Sequence, residues 1–298
     1  MRMHRRRALA WITVVALLGG CGSAGNSPAA DPRDGLRQQA DGALTRYDQA
    51  VRAAGGAPFV PVGELTRQLG DWEPANGSYK EALSAGRVEA ASTLPGAPTS
   101  AGTIVWADGN RRDVPLISAD RALAQLRAAG TGDCSGCTPL KLTGARLTTM
   151  TVPTTRGPAT APAWEYTLAG TAVRLARVAV DLSAIVRVTP PPWDAEHPHE
   201  GLAIESATTT TARSELTVTF TGVPGPGSKP CGADYSAEAV ESDLAVVVIV
   251  IEYRHAKDEA CGDIGAERSA TLTLSRPLGE RAVLEVTQGR PVQLTITG

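Results

Sequence analysis

Eight apolar residues in succession occupy positions 244–251, with the sequence LAVVVIVI. The run is far shorter than the ~20 residues that a membrane-spanning helix needs. Val and Ile dominate it, and β-branched side chains favour an extended backbone. A strand without polar alternation has to be covered on both faces, so this run predicts a central, buried β-strand.

The rest of the segment 201–298 also has the pattern of short strands. Turns rich in glycine and proline separate them, for example VPGPG at 223–227. The other predicted strands are 202–208, 215–221, 269–275, 282–287 and 291–296. Six or seven short strands in ~100 residues predict a β-sandwich, with an immunoglobulin-like topology as one option.

The segment 31–188 combines helical and strand patterns. Asp31 and Pro32 are favourable residues for starting a helix, and apolar residues then recur every three or four positions up to Ala54. A second amphipathic helix is predicted at 118–129, capped by Ser118. Strands are predicted at 87–94, 102–107, 112–117, 140–152, 161–168 and 172–182. Two helices on an antiparallel sheet of about six strands predict an α+β domain.

A proline-rich stretch separates these two segments. The sequence TPPPW at 189–193 favours a stiff, extended backbone. A length of 298 residues has room for two domains. We therefore predict an α+β domain at 31–188, a linker at 189–200 and a β-sandwich domain at 201–298.

The N-terminus has the pattern of an export signal. Four arginines precede an apolar run at 8–18, which is too short to span a bilayer as a helix. The sequence LGGC at 18–21 resembles the lipobox of bacterial lipoproteins. That resemblance implies that residues 1–20 are a cleaved signal peptide and that Cys21 carries the lipid. Residues 21–30 would then form a flexible tether to the outer face of the cytoplasmic membrane. The alternative is an ordinary signal peptide with an unmodified cysteine.

Four further cysteines predict two disulfides, because an even count is typical of exported proteins. Three pairings exist, and pairing Cys134 with Cys137 and Cys231 with Cys261 keeps each bridge within one predicted domain. The sequence CSGC at 134–137 also matches the CxxC redox motif, but the neighbouring predicted helix, 118–129, precedes the cysteines. A thiolate is stabilised by a helix that follows, so we favour a structural bridge, with redox chemistry or metal binding as alternatives.

Two other groups are candidate binding residues. Trp164 and Tyr166 share one face of a predicted strand, where they could stack on a sugar or a peptide or pack in the core. His197 and His199 are weak candidates for metal ligands among nearby acids, and a solvated linker is the alternative. The sequence contains no GxSxG, HExxH, SxxK or P-loop pattern.

Composition and motifs together favour a binding protein over an enzyme. Lys and Arg number 29 against 31 Asp and Glu, so no basic excess indicates nucleic acid. The segments CSGCTPLKLTGARL, RGPATAPAWEYTL and RPLGERAVL resemble secreted lipoproteins of high-GC Gram-positive bacteria, a resemblance that implies no activity. We expect no cofactor and a non-enzymatic binding or scaffold role, with an envelope protein, a peptide or a glycan as the partner. The alternative is a thiol–disulfide redox protein. A cleft beside Trp72, Trp106 or Trp164 would favour a small ligand.

Overall fold

A computed structural model describes residues 32–56, 59–73, 77–134, 136–193, 195, 201–256 and 258–297. This part of the chain forms mainly β-sheets and contains three α-helices. The helices are α1 (Pro32–Ala53), α2 (Gly77–Ser84) and α3 (Ala119–Ala128). In the described ranges, no helix combines the length and the apolar character that crossing a membrane requires.

Seven strands of the first half form one sheet. They are β1 (Thr66–Leu69), β2 (Val88–Ala90), β3 (Gly102–Trp106), β4 (Arg111–Val114), β5 (Leu140–Val152), β6 (Ala159–Leu168) and β7 (Arg174–Val178). The order is β1-β7-β6-β3-β4, and β5 pairs with both β6 and β2. Every pair is antiparallel except β2 with β5. Helix α2 contacts β5 and helix α3 contacts β7.

The second half supplies seven strands in two sheets. They are β8 (Ile204–Thr210), β9 (Glu215–Gly222), β10 (Ala233–Glu241), β11 (Ala245–Arg254), β12 (Ala266–Thr273), β13 (Ala282–Glu285) and β14 (Gln293–Thr297). One sheet has the order β10-β11-β13 and the other β12-β9-β8-β14. Val246, Val248 and Val250 of β11 lie in one buried cluster with Leu216 and Phe220 of the second sheet. The two sheets therefore share a sandwich-like core.

Helix α1 packs on the outer face of the β10-β11-β13 sheet. Its buried residues Ala43, Tyr47 and Val51 share a cluster with Val247 and Ile249 of β11. Residues 245–250 are at most 2 % exposed because α1 covers one face of β11 and the second sheet covers the other. The prediction of a central, buried strand is confirmed.

The position of α1 differs from the sequence-based expectation, which put both predicted helices on the first sheet. That sheet is contacted by α3, which is the second of the predicted helices, and by α2. The apolar periodicity of a helix identifies which face is buried, but it does not identify the surface that covers this face. The predicted linker at 189–200 lies partly outside the described residues, and the domain division there stays a prediction.

The strand order also differs from that of an immunoglobulin constant domain. With β8–β14 lettered A to G, the sheets read E-B-A-G and C-D-F, whereas the immunoglobulin order is A-B-E-D and C-F-G. Two pairs, β11 with β13 and β14 with β8, are parallel. The two shortest connections, β8 to β9 and β10 to β11, form antiparallel pairs as in most β-sandwiches.

Candidate functional site

A groove of ≈ 1290 Å³ opens on the surface of the described residues. Its floor is the face of β1 and β7 that carries Thr66, Gln68, Leu175 and Arg177. The ends of α2 and α3 form one wall, including Ala128 in the last turn of α3. The segment 182–188 and the turn that connects β13 to β14 also line the groove. Both halves of the chain therefore contribute to it.

Arg177 is the most unusual residue of this groove. It is only 6 % exposed, and it stands opposite Thr66 in the pairing of β7 with β1. Its Nη1 donates to Thr66 Oγ1 at 2.7 Å, and its Nη2 donates to Gln125 Oε1 at a long 3.4 Å. Its Nε is buried and has no hydrogen-bond partner among the described residues. Two neutral oxygens are thus the polar partners of a buried cation.

Arg281 provides a comparison, because it is equally buried at 4 % exposure. Its Nη1 donates to Glu241 Oε2 at 2.5 Å. Its Nη2 and Nε donate to the carbonyl oxygens of residues 276, 277 and 278 at 2.9–3.1 Å. Buried arginines are ordinarily satisfied in this way, by a carboxylate and further acceptors. Arg177 lacks such a carboxylate among the described residues.

The electrostatic surroundings of Arg177 also disfavour its charge. Burial lowers the pKa of Arg177, nearby Tyr166 raises it, and the positive charge of Arg187 lowers it further. An arginine stays protonated in proteins despite such shifts. The groove therefore contains a permanent positive charge that the surrounding protein compensates poorly.

Basic side chains outnumber acidic ones along the groove. Lys80, Arg187 and Arg290 line it together with Arg177, whereas Glu64 and Asp71 are its acidic residues. The whole chain has a formal net charge of −2, so the groove has a charge of the opposite sign. This local excess favours an anionic ligand over a cationic one.

The proposed stacking residues Trp164 and Tyr166 lie in the core rather than in the groove. They are 3 % and 0 % exposed, under α3. Trp164 Nε1 donates to Ile117 O at 2.9 Å, and the Tyr166 hydroxyl donates to Ala119 O at 2.7 Å. Because both polar atoms are paired and both rings are covered, neither side chain presents a surface for a ligand. Burial also raises the pKa of Tyr166.

Trp72 is the one of the three singled-out tryptophans that lines the groove. Its ring is half-buried and packs edge-on against Tyr79 of α2, with 6.1 Å between ring centroids. Trp106 is 4 % exposed and its Nε1 donates to Thr154 Oγ1, so it is also a core residue, in a different buried cluster from Trp164. A cleft beside one of these three tryptophans was expected to favour a small ligand, and Trp72 is the tryptophan that lies beside the groove.

The four cysteines form the expected pairs, Cys134 with Cys137 and Cys231 with Cys261. Cys134 and Cys137 follow the C-terminal end of α3, and Cys137 Sγ lies 3.8 Å from Glu81 Oε2. A carboxylate beside a sulfur disfavours the thiolate. Glu259 lies beside the second pair. Because the sulfurs of both clusters are joined in disulfides, neither cluster offers thiolate ligands to a metal in this state.

Three predicted site residues lie outside the described residues. They are Cys21, the predicted lipid carrier, and the weak metal candidates His197 and His199. Their roles stay predictions.

Sequence reasoning missed Arg177 as a functional candidate. In the strand sequence RLARV at 174–178, Arg174 and Arg177 look alike. Arg174 is partly exposed and binds Glu165, whereas Arg177 is buried and faces the groove. The available signal was alternation: Arg177 shares a strand face with the apolar Leu175, opposite to that of Arg174.

Comparisons of the chain with protein-family models, curated proteins and solved structures found no match.

Proposed function

We propose that this protein is an extracytoplasmic lipoprotein with a non-enzymatic binding role in the cell envelope. In this proposal, lipid on Cys21 anchors the chain to the outer face of the cytoplasmic membrane. The sequence LGGC at 18–21, after a basic and then an apolar segment, supports the anchor. Two disulfides in the described residues agree with an oxidising compartment. We expect no cofactor and no nucleic-acid partner.

The groove carries the proposed binding role. A concave surface with apolar walls and a few convergent polar groups is the usual form of a ligand site. Leu65, Leu83 and Trp72 contribute apolar surface here, and Arg177 contributes a buried charge. The partner is proposed to be an envelope protein, a peptide or a glycan that reaches into this groove.

Thiol–disulfide chemistry at CSGC stays the alternative function. A redox cysteine works as a thiolate, and Glu81 beside Cys137 opposes that charge. The last turn of α3, which precedes the motif, also carries the negative end of the helix dipole. We therefore propose that this pair is a structural bridge. A reduction potential below about −300 mV would agree with that role, and a higher potential would favour redox chemistry.

Site-specific photo-cross-linking tests the binding role. A photoreactive benzoylphenylalanine replaces Ala128, which is exposed and lines the groove, in cells that export the protein. The matched control replaces Ala124, which is exposed one turn earlier on α3 and lies outside the groove lining. We expect covalent adducts from position 128 and not from position 124. Equal adducts at both positions, or none at either, would contradict a binding role for the groove.

Mass spectrometry of the same exported protein tests the anchor. We expect the chain to begin at Cys21, with a diacylglycerol on its sulfur and an acyl group on its new amine. An unmodified Cys21, or a chain that keeps residues 1–20, would contradict the lipoprotein proposal.

A further inference from the structure

We propose that the ligand of this groove is a peptide that bears a carboxylate, and that Arg177 receives this carboxylate. The inference rests on the proposed binding function and specifies its ligand class. Its starting point is the pairing of Arg177, whose hydrogen-bond partners are the side-chain oxygens of Thr66 and Gln125.

The unsatisfied charge of Arg177 identifies the kind of group that completes the site. A guanidinium has five N–H donors in one plane, and these two bonds use two of them. A carboxylate accepts two parallel hydrogen bonds from such a group, and it also neutralises the charge. Arg187 is close enough to influence Arg177 electrostatically, which adds a second attraction for an anion. A ligand carboxylate in the groove would therefore supply the negative charge that Arg177 lacks among the described residues.

The size and polarity of the groove favour an extended, partly polar ligand. Its volume of ≈ 1290 Å³ exceeds the roughly 300–1,000 Å³ of sites for compact small molecules. Ser84, Gln68 and Thr131 interrupt its apolar walls. A hydrocarbon chain would displace the water that bonds to these polar groups and would offer no hydrogen bonds in its place. A peptide can offer both apolar side chains and backbone hydrogen-bonding groups to such a surface.

The end of α3 supports the same ligand class. Ala128 and Ala129 line the groove at the C-terminus of this helix. Gln125 O, Leu126 O and Arg127 O already accept capping hydrogen bonds from the amides that follow them, so the oxygens of Ala128 and Ala129 are the acceptors that this helix end offers to a ligand. Such oxygens suit the N–H groups of a peptide backbone. The groove thus combines a carboxylate receptor at Arg177 with acceptors for N–H donors.

A peptide selection tests the inference. The purified full chain is incubated with N-acetylated, C-terminally amidated hexapeptides randomised over Ala, Leu, Val, Ser, Glu and Gln. Retained peptides are sequenced by mass spectrometry, so that glutamate is compared with glutamine, its uncharged isostere. We expect peptides with glutamate at one preferred position to bind about 10- to 100-fold more tightly than their glutamine counterparts.

Two arginine variants assign that preference to its residue. Arg177→Gln is expected to remove it, and the matched Arg213→Gln, at an exposed position outside the groove lining, is expected to retain it. An unchanged preference in Arg177→Gln would overturn the proposal. If Arg177→Gln does not fold, the native chain still decides, because equal retention of glutamate and glutamine peptides would overturn the proposal by itself. Displacement of the selected peptides by millimolar inorganic phosphate would reassign the site to phosphate and also overturn it.

The outcomes separate this inference from the proposed function. Peptides could bind without any preference for glutamate and lose their binding in Ala128→Trp but not in Ala124→Trp. That result would overturn the role of a ligand carboxylate and leave the groove as the binding site. A native chain that retains no peptide would overturn the peptide ligand, and cross-linking at position 128 would still decide whether the groove binds something else.

Discussion

Replacing Arg177 by methionine should make the unliganded protein more stable. Methionine keeps most of the length of the side chain and removes the charge. In the unliganded protein, Arg177 has one short hydrogen bond, to Thr66, and one long one, to Gln125. Its Nε–H is buried without a partner. A residue that is prepared for a ligand is expected to lower the stability of the free protein.

The size of the gain follows from these contacts. An unsatisfied buried donor costs about 1–3 kcal/mol, and the bond to Thr66 contributes about 1 kcal/mol that the variant loses. Thr66 is only half-buried, so its hydroxyl can bond to water instead. We therefore expect the free energy of unfolding to rise by up to about 2 kcal/mol. For a chain of this length, a gain of about 2 kcal/mol corresponds to an increase in Tm of about 3 °C.

Urea unfolding and calorimetry measure this difference, and Arg281→Met is the matched control. Arg281 is as buried as Arg177, but it is paired with Glu241 and three carbonyl oxygens. Its replacement leaves a carboxylate without its cation, so we expect a loss of about 3–5 kcal/mol. If Arg177→Met destabilised the protein as strongly as Arg281→Met, Arg177 would be a structural residue and the ligand argument would fail.

Three further predictions concern the fold. Removing the bridge with Cys231→Ser and Cys261→Ser should lower stability by about 3–4 kcal/mol, because its long loop restricts the unfolded chain; an unchanged urea midpoint would contradict this. Leu284→Ala should cost about 2–5 kcal/mol by the same measurement, since Leu284 is fully buried in the cluster with α1; the exposed Leu147→Ala, as its control, should cost under about 0.5 kcal/mol. The amide of Ser183 holds the pKa of Asp181 below 3.8, so Asp181→Asn should be less stable than the native chain at neutral pH. That difference should vanish as the pH falls through the lowered pKa, and a difference that persists in acid would refute the assignment.

Strong local patterns predicted much of the fold. The run at 244–251 indicated a buried strand because it is apolar throughout, and the structure places residues 245–251 in β11, with 245–250 buried. Ser118 predicted the start of α3, and its Oγ accepts a hydrogen bond from the amide of Arg121 at 3.2 Å. In both cases the pattern that indicates the element lies within a few residues along the chain.

Weak local patterns hid the remaining elements. Strand β10 was missed because its sequence, ADYSAEAVE, is largely polar. Pairing with β11 and the partial burial of Tyr235 in the sandwich core stabilise it, and both are long-range contacts. The stretch at 57–86 has no strong helical or strand pattern in its sequence, yet its described part contains β1 and α2, which line the groove.

The candidate site was less accessible to sequence reasoning than the fold. The groove is assembled from segments as distant as Pro61 and Pro291, and no local motif marks them. Arg177 is a candidate because it has no acidic partner among the described residues. The periodicity of a sequence does not show whether a buried arginine has such a partner. The disulfide pairs, by contrast, followed from the cysteine spacing and were confirmed.

A crystal structure of the full chain with the tightest-binding selected peptide tests the role of Arg177 most directly. We expect carboxylate oxygens of the peptide about 2.7–2.9 Å from the Arg177 nitrogens, with the peptide extended along the groove beside Ala128. A peptide whose acid lies away from Arg177, or one that occupies another surface, would contradict the proposed recognition.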